Sequence, residues 1–229
     1  TLCQKSFGEN IPNLPEAVQA STQFLINSQH QGGGWEYAYS EDNGRGGDLS
    51  IVAWHLQALK AAKHTGLELK NLTSSVRAGL EYTAGLRTPE GTFGYSGPRM
   101  KDDGVTLGAA GALCFQMWDK SSSKEARGAC KFIDENAKFG WSSPDSDLYG
   151  HYYAAQCMIN FGGDPWKRYN EKFRDQVLNN QLPDGSFKPT GFGAFKGTSV
   201  FGKHYRACLS ILMLEVYYRF LPATGAKTK

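Results

Sequence analysis

The sequence predicts an all-α fold of four helix pairs, about eight helices in one domain, and three observations carry that prediction. A turn built of Gln or Arg, Gly and an aromatic residue recurs along the chain. Each copy stands between two stretches whose apolar residues return at helical spacing. Those stretches open mostly on Asp or Pro and close on Gly or Pro, residues that start and stop helices. A helix, turn and helix repeated in this way cannot bury its apolar face alone, so neighbouring units must stack.

The first turn is Gln29-His30-Gln31-Gly32-Gly33-Gly34-Trp35, and Gln181-Leu182-Pro183-Asp184-Gly185-Ser186-Phe187 repeats it closely. Arg87 to Phe93 keeps the Gly and the aromatic with Arg in place of Gln, and Asn136 to Trp141 is the same turn shortened by one residue. Trp35, Phe93, Trp141 and Phe187 are spaced by 58, 48 and 46 residues. Gly takes the left-handed conformation that ends a helix, and the aromatic behind it folds back over the helix end. The Gln or Arg is expected to reach free carbonyls of its own helix or the backbone of the next turn, stapling neighbouring repeats.

Residues 1–14, with Pro12 and little periodicity, read as an extended lead-in. Pro15 suits the first turn of helix one, which runs to about Ser28 with Val18, Phe24 and Leu25 on its apolar side. After a polar loop from Ser40 to Gly47, Asp48 opens helix two, in which Ile51, Leu56, Leu59 and Ala62 keep helical spacing. An Asp there accepts from free backbone N–H groups as a cap. Helix three spans Ser74 to Leu86, helix four Val105 to Trp118 and helix five Ser121 to Asn136. Asp147 begins helix six, which continues through Met158. Asp164-Pro165 reads as a cap and a first-turn proline for helix seven, which reaches about Asn180. A Gly-rich loop from Pro189 to Gly202 feeds helix eight, from about Lys203 to Phe220, stopped by Pro222. The repeat domain is therefore 15–222, and 223–229 is a flexible tail.

A chain of 229 residues fits one domain with a sizeable core. Gly, at 27 residues, exceeds the usual share of about 7%, and the excess sits in the turns and at small helix positions such as Gly108, Gly111 and Gly128. A net charge of +3 with scattered Lys and Arg gives no basic stripe, which argues against nucleic acid as a partner. No apolar run is long enough to make a transmembrane segment. Cys3, Cys114, Cys130, Cys157 and Cys208 are odd in number and lack CxxC spacing, so they read as small buried apolar residues.

Gln29-x3-Gly33-x-Trp35 and Gln181-x3-Gly185-x-Phe187 resemble the QW repeats of the terpenoid cyclase and protein prenyltransferase superfamily, over residues 15 to 221. Within that span, Gly47-Asp48 through Trp54 to Leu59, and Leu214 through Pro222, are similar to bacterial repeat proteins of the prenyltransferase and squalene oxidase type. The resemblance implies an α/α toroid-like array of helix-hairpin repeats, here an open or incomplete ring. It also implies that the second helix of each pair lines the centre, so that helices two, four, six and eight start at one face. That face gathers Asp48, Asp102, Asp103, Asp147, His151, Tyr152, His204, Tyr205 and Arg206, with Trp54 deeper. Polar and aromatic groups converging on a concavity are what a ligand site looks like.

In the cyclases an Asp-x-Asp-Asp motif at an inner-helix start protonates an alkene or epoxide, and aromatic faces steady the cation. Lys101-Asp102-Asp103 is the nearest match here; it lacks the first Asp, which favours a helix cap over an acid. In the protein prenyltransferases zinc is held by Asp-x-Cys and by a His. His204-x3-Cys208 looks like the stretch around that His, but Tyr149 stands where Asp147-Leu148-Tyr149 would need the thiolate, so no zinc and no other cofactor is expected. The candidate catalytic residues are Asp48, Asp102, Asp103, His151 and His204; the candidate ligand-binding residues are Trp54, Tyr152, Tyr205 and Arg206. The resemblance favours a non-classical member that holds a small-molecule ligand, isoprenoid-like or carbohydrate, in a central groove, with catalysis left open. Two other classes stay open: a carbohydrate-active toroid, hydrolase or lyase, using Asp48 with Asp102 or Asp103 plus His151, Tyr152 and Arg206, and a non-enzymatic protein-interaction scaffold.

Overall fold

The computed structural model describes residues 11–39, 46–102, 104–143, 145–190 and 200–219. The expected lead-in before residue 11, Asp103, the Gly-rich loop over 191–199, Pro222 and the tail lie outside the described residues. The fold is all-α, a helical-repeat array of about eight main helices packed on one another. In order they are α1 (Leu14–Asn27), α2 (Leu49–Lys63), α3 (Leu72–Gly85), α4 (Val105–Met117) and α5 (Lys124–Asn136). Then come α6 (Leu148–Phe161), α7 (Gly163–Leu178), α8 (Val200–Leu214) and a last short turn, α9 (Val216–Arg219). Among the described residues extended pairing is confined to two isolated bridges, Arg87 with Phe93 and Gln181 with Phe187, each closing one of the repeated turns.

The chain forms two compact units, one of Thr1–Pro89 with Phe93–Lys101, the other of Glu90–Thr92 with Asp102–Lys229. In the first, Pro15 lies in the opening turn of α1, where its missing N–H is harmless. α1 buries only Thr22 and Ile26, whereas α2 buries Leu49, Val52, Ala53, Leu56, Leu59 and Ala62. Trp35 joins the two helices. It is 1% exposed, donates from Nε1 to the Leu25 carbonyl at 2.8 Å, and stacks on His55 of α2 at 5.2 Å between ring centres. Gln29 donates from Nε2 to the Gly33 carbonyl at 2.8 Å and to the Ser75 carbonyl of α3 at 2.9 Å, so it staples its own turn to the next helix as the repeat pattern predicts. Gly33 has φ 89°, and a Cβ there would collide with the Ala78 carbonyl, so both the twist and the approach to α3 require glycine.

In the second unit α4 and α6 have no polar face. Every residue from Val105 to Met117 except Thr106 is buried, and so is every residue from Leu148 to Met158 except Tyr149. A helix apolar all round must be enclosed, and α5, α7 and α8 pack around this pair. α5 contributes Ala126, Ala129, Cys130 and Ile133, and α7 contributes Tyr169, Phe173 and Val177, each a single stripe along one side of its helix. Buried Gln116 donates to the Cys157 carbonyl at 3.0 Å and accepts from Asn160 at 3.2 Å. An unmatched amide in that place would cost about 1–3 kcal/mol. At the third turn the staple comes from the helix that follows. Gln176 of α7 accepts from the Trp141 N–H at 2.9 Å and donates to the Phe139 carbonyl at 3.0 Å.

Three local expectations are corrected. α7 starts at Gly163 with Gly162 at its cap and no side-chain bond there, because Asp164 turns to Lys167 at 2.9 Å instead. α8 starts at Val200, ahead of Lys203. Cys114, Cys130 and Cys157 are buried as expected, but Cys208 is exposed, since it lies on the side of α8 away from α6.

Candidate functional site

Asp147 caps α6: its Oδ1 accepts from the Tyr149 N–H at 3.2 Å. Its Oδ2 accepts from the Thr106 hydroxyl of α4 at 3.0 Å. The contact depends on Gly150, where a Cβ would overlap the Thr106 hydroxyl. The Tyr149 and Tyr153 hydroxyls lie 3.4 Å apart, with the rings edge to face at 5.2 Å. Tyr205 of α8 is near enough to feel this group. Its phenol is pushed up to about 12, first by burial and then by the Asp147 charge and Tyr149. Asp147, Thr106, Tyr149 and Tyr205 are half-buried, while Tyr152 and Tyr153 next to them are enclosed, and burial raises the Tyr153 phenol as well. Three helices thus bring a carboxylate, a hydroxyl and two phenols to one place. Each carboxylate oxygen has a second lone pair beyond the bond it already accepts, and each phenol both donates and accepts.

α2 opens with the same residue and a different outcome. Asp48 is wholly buried; Oδ1 accepts from the Ser50 N–H at 2.8 Å and the Ser50 hydroxyl at 2.6 Å, and Oδ2 is buried with no hydrogen-bond partner. The Asp48 N–H donates to the Trp35 carbonyl at 3.0 Å and the Leu49 N–H to the Tyr95 carbonyl at 2.9 Å, so the turn and the loop at Tyr95 fix the start of the helix. A cap needs one oxygen. The second is left at a cost of about 1–3 kcal/mol.

The other predicted residues are placed as follows. His151 is buried, with Nδ1 at 2.7 Å from the Tyr169 hydroxyl of α7 and Nε2 at 3.2 Å from the carbonyl of Asp145 in the loop that leads into α6, so one ring nitrogen ties α6 to α7 and the other ties it to its own entry loop. Tyr152 packs on Tyr153 at 4.9 Å. Arg206 is buried and donates from Nε to the Phe187 carbonyl at 3.4 Å, tying α8 to the fourth turn, and burial lowers its pKa. His204 is exposed, with Nδ1 on the Val200 carbonyl at 2.9 Å. Trp54 is half in solvent on α2. Asp102 is exposed at φ 53°, and the cap of α4 is Gly104 with no side-chain bond, so Asp102 does not cap. Asp103 lies outside the described residues.

Of the predicted residues, Asp147 and Tyr205 stand together, and Thr106 is the member of the cluster that sequence reasoning missed. A signal existed: Ser50 and Thr106 both place a hydroxyl two residues after the cap of their helix. A separate concavity of about 370 Å³ opens at the start of α3, lined by Leu69, Asn71, Leu72, Thr73, Ser74 and Arg77, and holds none of the predicted site residues. Among the described residues no group of three or more His, Cys, Asp or Glu side chains is arranged to hold a metal ion, and no helix is long and apolar enough to cross a membrane. No family model matches the chain, and no curated protein and no solved structure is significantly similar to it.

Proposed function

We propose that the chain is a ligand-binding helical-repeat protein of the QW-repeat, prenyltransferase-like kind, with its site at the starts of α4, α6 and α8. The observation that carries this reading is the state of α6. In a helix otherwise enclosed from Leu148 to Met158, Tyr149 and the cap Asp147 keep partial access to solvent and meet Thr106 and Tyr205 from two other helices. A carboxylate with free lone pairs beside phenol rings suits a ligand that offers hydroxyl donors and an apolar ring face. Of the ligand classes the sequence suggests, a carbohydrate supplies both, whereas an isoprenoid chain supplies no donors. The reading is one of binding. His151, the nearest imidazole, has both ring nitrogens in structural bonds, one to the Tyr169 hydroxyl of α7 and one to the Asp145 carbonyl.

Thermal-shift titration with a panel of oligosaccharides and isoprenoid alcohols tests it, because a ligand that binds only the folded state raises Tm with concentration. An oligosaccharide is expected to raise Tm, and Asp147→Asn and Tyr205→Phe are expected to abolish the rise. Asn still caps a helix, so the fold survives the first change. No shift with any class, or a shift that both variants keep, removes the reading.

A further inference from the structure

The cluster at the starts of α4, α6 and α8 carries a charge that no neighbouring cation balances. Asp134 of α5 is paired with Arg168 of α7, and within α7 Asp164 is paired with Lys167 and Asp175 with Arg174. Asp147 has no such cation among the described residues. Its oxygens accept one bond each, from the Tyr149 N–H at 3.2 Å and the Thr106 hydroxyl at 3.0 Å, and both donors are neutral. The α6 terminus that it caps offsets about half a charge. Asp48 also accepts only from neutral donors, but it is wholly buried, so nothing from solution reaches it. Asp147 is half-buried. Its charge is felt nearby, since the Tyr205 phenol keeps its proton first through burial and then through Asp147. A carboxylate taken partly out of water and met only by neutral donors has most to gain from a partner of opposite charge.

The groups around Asp147 select the kind of cation. An ammonium donates three hydrogen bonds and accepts none. Each Asp147 oxygen keeps a second lone pair, and the Thr106 hydroxyl, whose proton goes to Asp147, offers only lone pairs. Tyr149 and Tyr205 stand half-buried beside them, and a tyrosine ring face attracts an ammonium within about 6 Å of its centre. A uronic acid would instead set its own carboxylate against Asp147, which like charges oppose. An acetylated amine has lost the charge altogether. We propose that the ligand is an amino sugar with a free ammonium, held by that ammonium at Asp147 with its ring against Tyr149 and Tyr205. This inference rests on the reading of the cluster as a sugar site and adds the charge that the sugar carries.

Isothermal titration calorimetry with three matched tetrasaccharides tests it, using the glucosamine tetramer, its N-acetylated form and the galacturonate tetramer. The titrations are run at about pH 6, where amines hold their proton. Wild type is expected to bind the glucosamine tetramer about tenfold tighter than the N-acetylated one, the ratio between a hydrogen bond to a charged group and one to a neutral group. The galacturonate tetramer is expected to bind weakest. Asp147→Asn still caps α6 and is expected to show no preference between the first two. Equal binding of those two by wild type, tighter binding of the galacturonate, or a preference that Asp147→Asn retains overturns the proposal and leaves the sugar site standing. Putrescine bound as tightly as the glucosamine tetramer overturns the sugar ring as part of the recognition. Binding of none of the three tetrasaccharides removes both this proposal and the sugar site.

Discussion

Asp48 and Asp147 occupy the same place in two repeats and meet different fates. Both are followed by Leu, and both cap a helix through the backbone N–H two residues on. Asp147 receives the Thr106 hydroxyl on its second oxygen and stays half-exposed; Asp48 is wholly buried, draws both its bonds from Ser50 on one oxygen, and has none on the other. The residue three places after each cap accounts for part of the difference. It is Ile51 in α2 and Gly150 in α6, and only glycine lets the Thr106 hydroxyl come so close. A cap is thus a local property, whereas its balance of hydrogen bonds belongs to the neighbouring helix.

The largest expected effect erases the difference at its source. Gly150→Ala puts a methyl group where the Thr106 hydroxyl lies, and overpacking of this kind costs about 1–3 kcal/mol. Urea unfolding should register that loss; an unchanged midpoint would mean that α4 and α6 separate freely and that the glycine is incidental. Next come the caps themselves. Asp147→Ser keeps an acceptor for the Tyr149 N–H but gives up the Thr106 bond, with a loss of about 1 kcal/mol. Asp48→Ser keeps the bond from Ser50 and removes the unmatched oxygen, so its midpoint should equal or exceed that of wild type. If Asp48→Ser is the more damaging of the two, the buried oxygen has a partner in solution and the contrast between the caps disappears.

The smallest effect is on alkaline stability. Tyr205 has a phenol raised from 10.0 to about 12 in the folded chain. Below pH 10 both states keep the proton and the group contributes no slope. Between about 10 and 12 the unfolded chain loses it first, so stability falls as pH rises across that window. Tyr205→Phe should flatten that part of the pH profile, and a profile that keeps its full slope would mean that the Tyr205 phenol is neither buried nor beside Asp147 in the folded chain.

Much of the fold was legible because its signals are short-range. Asp48 and Asp147 announce the starts of α2 and α6, Pro15 that of α1, and the Gly and aromatic of each turn announce where helices end. Trp35, Phe93, Trp141 and Phe187 are all buried, as their spacing predicted. The candidate site was legible only in part. His151 and Arg206 look like chemistry in the sequence, yet the partners that occupy them, Tyr169 and the Phe187 carbonyl, are brought to them by packing between helices. Thr106 looks like one more hydroxyl until α6 is laid beside α4.

By itself the sequence determined the all-α class, the number and approximate bounds of the main helices, and the turns that join them, because helix periodicity, capping and glycine conformation act within a few residues. Tertiary structure alone decided which polar side chains are satisfied inside the protein and which keep access to solvent. That outcome rests on contacts such as Thr106 with Asp147, 41 residues apart, and such distances leave no local pattern to read.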